Sequence, residues 1–238
     1  MARAKQAEIE EEQEDAPKRG LLRRLVGWTV RQFLRLTAFL ALIILILRFI
    51  APPFTPLMMM ETNRLGEVRQ EWVPLDAINP RMSRAVAAAE DARFCNHGGF
   101  DGVAIRQAIE DGSGRGASTI TQQVAKNVFL WPGRSWLRKG AEAYLTILIE
   151  LIWPKARIME IYLNVAEMGE GVFGVEAAAQ YWFGVSASEL SERQAAQLAA
   201  ILPAPKSRSA RQSSQRAARI VDGGRTLAAN GGAACFGG

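Results

Sequence analysis

Apolar residues in this chain recur at helical spacing, and between Gly66 and Pro205 no sustained period-two alternation appears. The pattern predicts helix after helix and argues against a β-sheet as the core. Pro80 stands at a first helical position, and Met82, Val86 and Glu90 follow at spacings of four. Glu90 therefore falls on the apolar face of its helix, near the last turn. Asp101 can cap a helix carrying Ile105, Ala108 and Ile109, and Thr119 with Gln122 has capping-box spacing. Arg134 to Trp153 is long and mostly apolar, while Ser191 with Gln194 starts a helix that Pro203 stops. Roughly 140 residues are enough for one core. The expected fold class is all-α, with a single globular domain.

The most apolar run lies earlier, from Leu36 to Leu47. Its 12 charge-free residues fall short of the roughly 20 that span a bilayer. Counting from Gln32 to Ile50 restores a spanning length, with Arg35 and Arg48 near the edges and long enough to reach the headgroups. Phe49-Ile50-Ala51-Pro52-Pro53 is bulky and proline-broken, unlike a cleavage site, which favours an uncleaved N-terminal transmembrane helix over a signal peptide. Lys18, Arg19, Arg23, Arg24, Arg31 and Arg35 precede the run and Arg48 follows it, which predicts a cytoplasmic N-terminus and places the segment after the run outside.

The expected organisation follows. Residues 1–31 form a cytoplasmic charged tail whose first 20 residues, with six carboxylates between Glu8 and Asp15, read as solvated and structureless. Residues 32–50 form the anchor. In 51–73, Pro52, Pro53 and Pro56 stiffen a linker, and Leu57 with Met58-Met59-Met60 can lie on the membrane or fill core. The globular domain takes 74–209. A C-terminal tail takes 210–238: Arg208 to Arg225 can form a basic amphipathic helix, with Ala210, Ala217, Ile220 and Val221 apolar, and disorder is expected from Ala228.

Charge changes the picture locally. The net charge is +5, but the first 50 residues hold nine basic and six acidic side chains, leaving 20 and 18 for the rest. A balanced outer domain gives no reason to expect nucleic acid as a partner. Between Asp111 and Glu142, however, there is no acid, while Arg115, Lys126, Arg134, Arg138 and Lys139 are all present. The window opens with Gly112, Gly114 and Gly116 and enters a helix near Ser118. Such a stretch suits a phosphate or pyrophosphate, though on these residues alone a flexible loop, a capped helix and a solvated basic face account for it better.

Two carboxylates stand out as candidate catalytic groups. Glu90 on an apolar face is desolvated, which raises its pKa toward the range useful for proton transfer; a pair with Arg93 at the helix end is the alternative. Glu142 shares a face with Leu145 and Ile149, and Arg138 and Lys139 stand one turn before it, so a local ion pair competes with a catalytic role. Glu160, apolar on nearly every side, reads as structural and tied to Arg157 or a neighbouring base. His97, the sole histidine, reads as a structural hydrogen-bonder beside glycines. Cys95 and Cys235 are far apart, and spacing alone neither requires nor excludes a bridge.

Several blocks in order carry a resemblance. Glu-Asp-Ala-Arg-Phe (Glu90 to Phe94) with His97 and Gly98-Gly99-Phe100-Asp101 is followed by Gly-Ala-Ser-Thr-Ile-Thr-Gln-Gln-Val-Ala-Lys-Asn (Gly116 to Asn127). Arg-Lys-Gly-Ala-Glu (Arg138 to Glu142), Arg-Ile-Met-Glu-Ile-Tyr-Leu-Asn (Arg157 to Asn164) and Ala-Ala-Ile-Leu-Pro-Ala-Pro (Ala199 to Pro205) come next. Together they resemble the peptidoglycan glycosyltransferases, glycosyltransferase family 51. The resemblance covers roughly Pro74 to Ser209 and implies a lysozyme-like domain that polymerises lipid II onto a growing β-1,4-linked glycan with inversion, releasing undecaprenyl pyrophosphate. It implies that Glu90 is the general base and Glu142 the second catalytic glutamate. Lys126, Arg134 and Lys139 match positions that hold the donor phosphates, with Ser118, Gln122 and Gln123 lining the same region. It also implies assistance by basic groups or a divalent metal, Mg or Mn, and a place at the inner membrane beside other cell-wall synthesis proteins. No transpeptidase segment follows the matched blocks, so the expected enzyme is monofunctional. A glycan-cleaving enzyme of similar fold, and a catalytically silent membrane-anchored scaffold, are the competing readings.

Overall fold

The first helix, α1 (Ala2–Leu47), runs unbroken through the charged tail and the apolar run. The computed structural model describes residues 2–110, 112, 118–133, 135–212 and 214–237, with side chains from residue 23 on. The start of the chain is thus helical and not structureless. Ala2 to Glu14 consists almost wholly of Ala, Arg, Lys, Gln and Glu, all strong helix formers even with no face to bury. Within the part of α1 whose side chains are described, Arg23–Leu47, an 18-residue window reaches a mean hydropathy of 2.0, and the 25-residue stretch is long and apolar enough to cross a bilayer. The helix ends at Leu47, three residues before the predicted end of the anchor.

Internal contacts divide the chain into units 1–46 and 47–238. The second unit opens with α2 (Pro56–Leu65), whose start is fixed by the Thr55 hydroxyl accepting from the Met58 amide at 3.2 Å. Met58 is buried, and Glu61 is buried between Arg64, at 2.6 Å, and Lys206. Part of the predicted linker is therefore a helix of the domain, because its prolines sit before and at the first helical position, where they start a helix instead of breaking one. β1 (Arg69–Gln70) follows. α3 (Pro80–Glu90) is capped by the Asn79 side chain and buries Met82, Ala85 and Val86.

α4 (Gly102–Glu110) begins at Asp101, whose Oδ1 accepts from the amides of Val103 and Ala104 at 2.9 and 3.1 Å. α5 (Ile120–Phe129) starts with the Thr119–Gln122 capping box. α6 (Trp136–Ile152) and α7 (Lys155–Val165) pack against α5, and their buried Leu145, Ile149, Ile158, Ile161 and Tyr162 supply much of the core. β2 (Glu167–Gly169) and β3 (Val172–Phe173) complete a small sheet in the order β1-β3-β2, with β1 parallel and β2 antiparallel to β3. α8 (Val175–Phe183) enters from Gly174 at φ 81, where a Cβ would meet the Asn164 carbonyl at 2.8 Å. α9 (Glu192–Ile201) has the predicted Ser191–Gln194 capping box. The all-α, lysozyme-like expectation holds, with only this small sheet among the described residues.

The C-terminal tail is the larger correction. α10 (Gln215–Ala229) packs along α3 and α9, burying Ala217, Ile220, Gly224 and Leu227. Beyond it Cys235 is bonded to Cys95, and Phe236, 2% exposed, rests on Phe94 with ring centroids 5.9 Å apart. α10 includes the amphipathic helix expected up to Arg225, whereas the stretch from Ala228, expected to be disordered, is ordered through Phe236 and closes the domain. The buried face of α10 combines Ile220 and Leu227 with the small Ala217 and Gly224, which let helices approach closely. A Cβ on Gly223 would lie 3.0 Å from that of Ala88.

Candidate active site

α3 delivers Glu90 to the edge of a cleft and leaves its side chain 14% exposed. Its Oε2 accepts from the Gln123 side-chain amide at 3.1 Å, and its Oε1 lies 3.3 Å from an Arg216 guanidinium nitrogen. Arg93 pairs with Asp101 instead, at 3.7 Å. Burial pushes the Glu90 carboxyl above the usual carboxylate range, with Gln123, Arg216, Lys126 and Arg208 pulling partly back. Glu90 shares a cavity of about 300 Å³ with Ser118, Thr119 and Gln107.

Gln123 is itself oriented from below. The fully buried Tyr162 hydroxyl donates to its side-chain oxygen at 3.2 Å, which leaves the amide nitrogen for Glu90. The Tyr162 phenol is held well above its ordinary pKa by burial and then by the Glu90 charge, so it remains a donor. Gln123, expected to line the substrate region, is thus tied to Glu90 and Tyr162 by its own side chain.

The cations gather one helical turn further along α5. Lys126 and Arg138 line a second cavity of about 380 Å³, together with Leu57, Asn127, Leu130, Trp131, Pro132 and Gly133. Glu142, buried on α6, receives Arg138 Nη1 on Oε2 at 2.8 Å and Lys139 Nζ on Oε1. Burial lowers the Lys126 pKa, the Glu142 carboxylate counters it, and Glu90 acts on Lys126 in the same sense. Lys126 therefore lies within electrostatic reach of both carboxylates. Arg138 was not picked out as a phosphate-binding residue, although its place four residues before Glu142 in the acid-free window was a usable signal. Its Nε is buried with no partner among the described residues. Arg134 lies outside the described residues, as do Arg115 and the glycines Gly114 and Gly116.

Two expectations at the start of α5 are overturned. The helix N-terminus is not free for an anion, because Asp91 Oδ2 accepts from the Ile120 amide at 3.0 Å and the Thr119 hydroxyl from that of Gln122 at 3.2 Å. A protein carboxylate takes the place that a phosphate would favour. Gln122 does not line the cleft: it is buried, and its oxygen accepts from the Thr119 amide at 3.0 Å. Asp91 is the residue that motif reading passed over. Its other oxygen holds His97 Nε2 at 2.8 Å, so His97 is the structural hydrogen-bonder expected. Glu160 pairs with Arg157 and accepts from the Leu75 amide at 3.2 Å, also as expected.

A divalent metal does not fit this arrangement. Both Glu142 oxygens are held by cationic side chains, and three positive groups against one carboxylate repel a further cation. The ligand atoms of Asp91, His97 and Asp101 do approach within 4.8 Å. Asp91 is committed to His97 and Ile120, and Asp101 to two amides and Arg93.

The domain brings Glu90, Lys126 and the Arg138–Glu142–Lys139 cluster within electrostatic reach of one another. Comparison with known proteins identifies the family. The family model described as transglycosylase matches residues 58–224. The biosynthetic peptidoglycan transglycosylase of Jannaschia sp. (strain CCS1) is 50% identical over 213 residues, covering 88% of this chain and 89% of that protein. The protein of the same name from Caulobacter vibrioides is 51% identical over 191 residues, 79% and 82% of the two chains. That from Stutzerimonas stutzeri is 50% identical over 200 residues, 80% and 83%. The chain belongs to the transglycosylase family.

Proposed function

We propose that this protein polymerises lipid II into β-1,4-linked glycan, with Glu90 as general base and the Lys126 cluster holding the departing pyrophosphate. The observation that carries the reading is the different treatment of the two carboxylates. Glu90 is partly buried and held by an amide and a half-exposed arginine, so it can accept a proton, whereas Glu142 is committed to Arg138 and Lys139. The acceptor's 4-hydroxyl gives its proton to Glu90 as its oxygen bonds to the donor's anomeric carbon. The bond from that carbon to the pyrophosphate oxygen breaks, and the electron pair leaves with the pyrophosphate. Lys126, Arg138 and Lys139 stabilise the charge that develops, with Arg134 assigned beside them by its motif position. Glu142 positions Arg138 and Lys139. Attack from the face opposite an α-linked leaving group yields a β-linkage. No step requires a metal ion.

The substrates are lipids, and the chain supports a membrane location. Trp136, Leu137, Leu151, Phe54 and Met59 are exposed apolar side chains of the domain, in keeping with work at a bilayer surface. The apolar part of α1 serves as a single inner-membrane anchor with a cytoplasmic N-terminus. The Cys95–Cys235 bond fits an oxidising compartment outside the cytoplasm. Partnership with other cell-wall synthesis proteins rests on the family resemblance.

The test is incubation of purified protein with labelled lipid II and separation of the glycan products. Wild type should give polymer, and Glu90→Gln should lose roughly 10²- to 10⁴-fold in rate. Shortening of preformed glycan would move the assignment to a cleaving enzyme; no change in either substrate would move it to a scaffold.

A further inference from the structure

Arg216 arrives at Glu90 from the far end of the sequence, in the first turn of α10. One of its terminal nitrogens lies 3.3 Å from the Ala89 carbonyl and 3.3 Å from Glu90 Oε1. The first contact satisfies a carbonyl in the last turn of α3, where intrahelical donors run out. The second grips the base itself. This is a poor arrangement for stability alone. The Arg216 side chain is 40% exposed, so the pair is screened and contributes little, and its Nε is buried without an acceptor among the described residues, which is a cost.

α10 is nevertheless held in place. It packs along α3 and α9, and the Cys95–Cys235 bond with the Phe94–Phe236 contact fastens the following turn to the segment just after Glu90. The same arginine lines a cavity of about 420 Å³ with Arg208, Gln197, Ser207 and Ser209.

We propose that Arg216 is a positioning residue of the active site, aiming the Glu90 carboxylate from α10. This rests on Glu90 being the base. The groups facing Glu90 are Gln123 and Lys126 from α5, Tyr162 from α7 behind Gln123, Arg208 after α9 and Arg216 from α10. Gln123 fixes one carboxylate oxygen and Arg216 the other, so removing Arg216 frees the carboxylate to turn and withdraws a cation that opposes the effect of burial.

The test uses the full chain in detergent and has two readouts. Carboxyl-labelled glutamate is titrated by ¹³C NMR, with the Glu90 signal assigned by its loss in Glu90→Gln, and kcat/KM for lipid II is measured across pH. In Arg216→Gln both the Glu90 midpoint and the acid limb of kcat/KM should move to higher pH. The neutral-pH kcat should fall by about ten-fold with KM little changed, and Arg216→Lys should restore part of both. A lower melting temperature with an unmoved midpoint and profile would make Arg216 a structural clamp and overturn the proposal. If wild type makes no polymer, the functional reading falls, and the carboxyl titration still decides whether Arg216 controls Glu90.

Discussion

Replacing Cys235 with serine tests whether the C-terminal segment closes the domain. The bond to Cys95 spans a sequence separation of 140 residues. Chain-entropy arithmetic for a loop of that size gives about 5 kcal/mol, with measured losses for native bridges of roughly 2–5 kcal/mol. The lower part of that range is expected, since Phe236 still has Phe94 to pack against and α10 keeps its contacts with α3 and α9. For a domain of this size each kcal/mol moves Tm by about 2–4 °C, so Cys235→Ser should melt roughly 5–12 °C below wild type. Thermal unfolding in detergent followed by circular dichroism measures this. Cys95→Ser should give the same loss, the double variant no more than either single, and reductant should lower wild type to the level of the variants. Equal melting of wild type and both single variants would refute the claim that the chain end is pinned to the segment after Glu90.

Tyr162→Phe leaves the Gln123 side-chain oxygen without its buried donor, so kcat should fall by about ten-fold, as steady-state rates with lipid II will register, while KM stays near wild type. Glu142→Gln removes the charge that holds Arg138 and Lys139; a loss of roughly 10²- to 10³-fold in kcat is expected from the same assay. Gly174→Ala places a Cβ 2.8 Å from the Asn164 carbonyl at φ 81, and denaturant unfolding should show a loss of about 1–3 kcal/mol. Because burial raises the Glu90 pKa, the base is protonated, and activity lost, at a higher pH than an exposed glutamate would dictate. The acid limb of kcat/KM against pH should therefore lie above the ordinary carboxylate range.

Helix existence and helix starts were legible in the chain because their signals are local. Pro80, Asp101, Thr119 with Gln122 and Ser191 with Gln194 each act within one turn, and each begins a helix where expected. Glu90 on an apolar face was legible for the same reason. What escaped were relations across long separations. Spacing could not bring Arg216 to Glu90 or Cys235 to Cys95, since both depend on how α10 returns to α3. The helix-end anion site failed because Asp91, 29 residues away, fills it. Gln122 and Gln123 are neighbours in sequence but a hundred degrees apart around the helix, so one caps α5 and the other reaches Glu90. The basic window indicated the cationic cluster but not that Arg138 would share a cavity with Lys126.

The central claim is direct displacement at a sugar carbon, with Glu90 taking the proton and the Lys126 cluster receiving the pyrophosphate. Its most direct test follows bond formation, leaving group and stereochemistry in one reaction. Lipid II labelled in both sugar and lipid is incubated with the full chain, released lipid pyrophosphate is counted against new glycosidic bonds, and the product is treated with a β-1,4-specific muramidase. The account predicts one lipid pyrophosphate released per bond formed, a polymer cut completely by the muramidase, and loss of both products together in Glu90→Gln. Polymer resistant to the muramidase, or undiminished synthesis by Glu90→Gln, would contradict it.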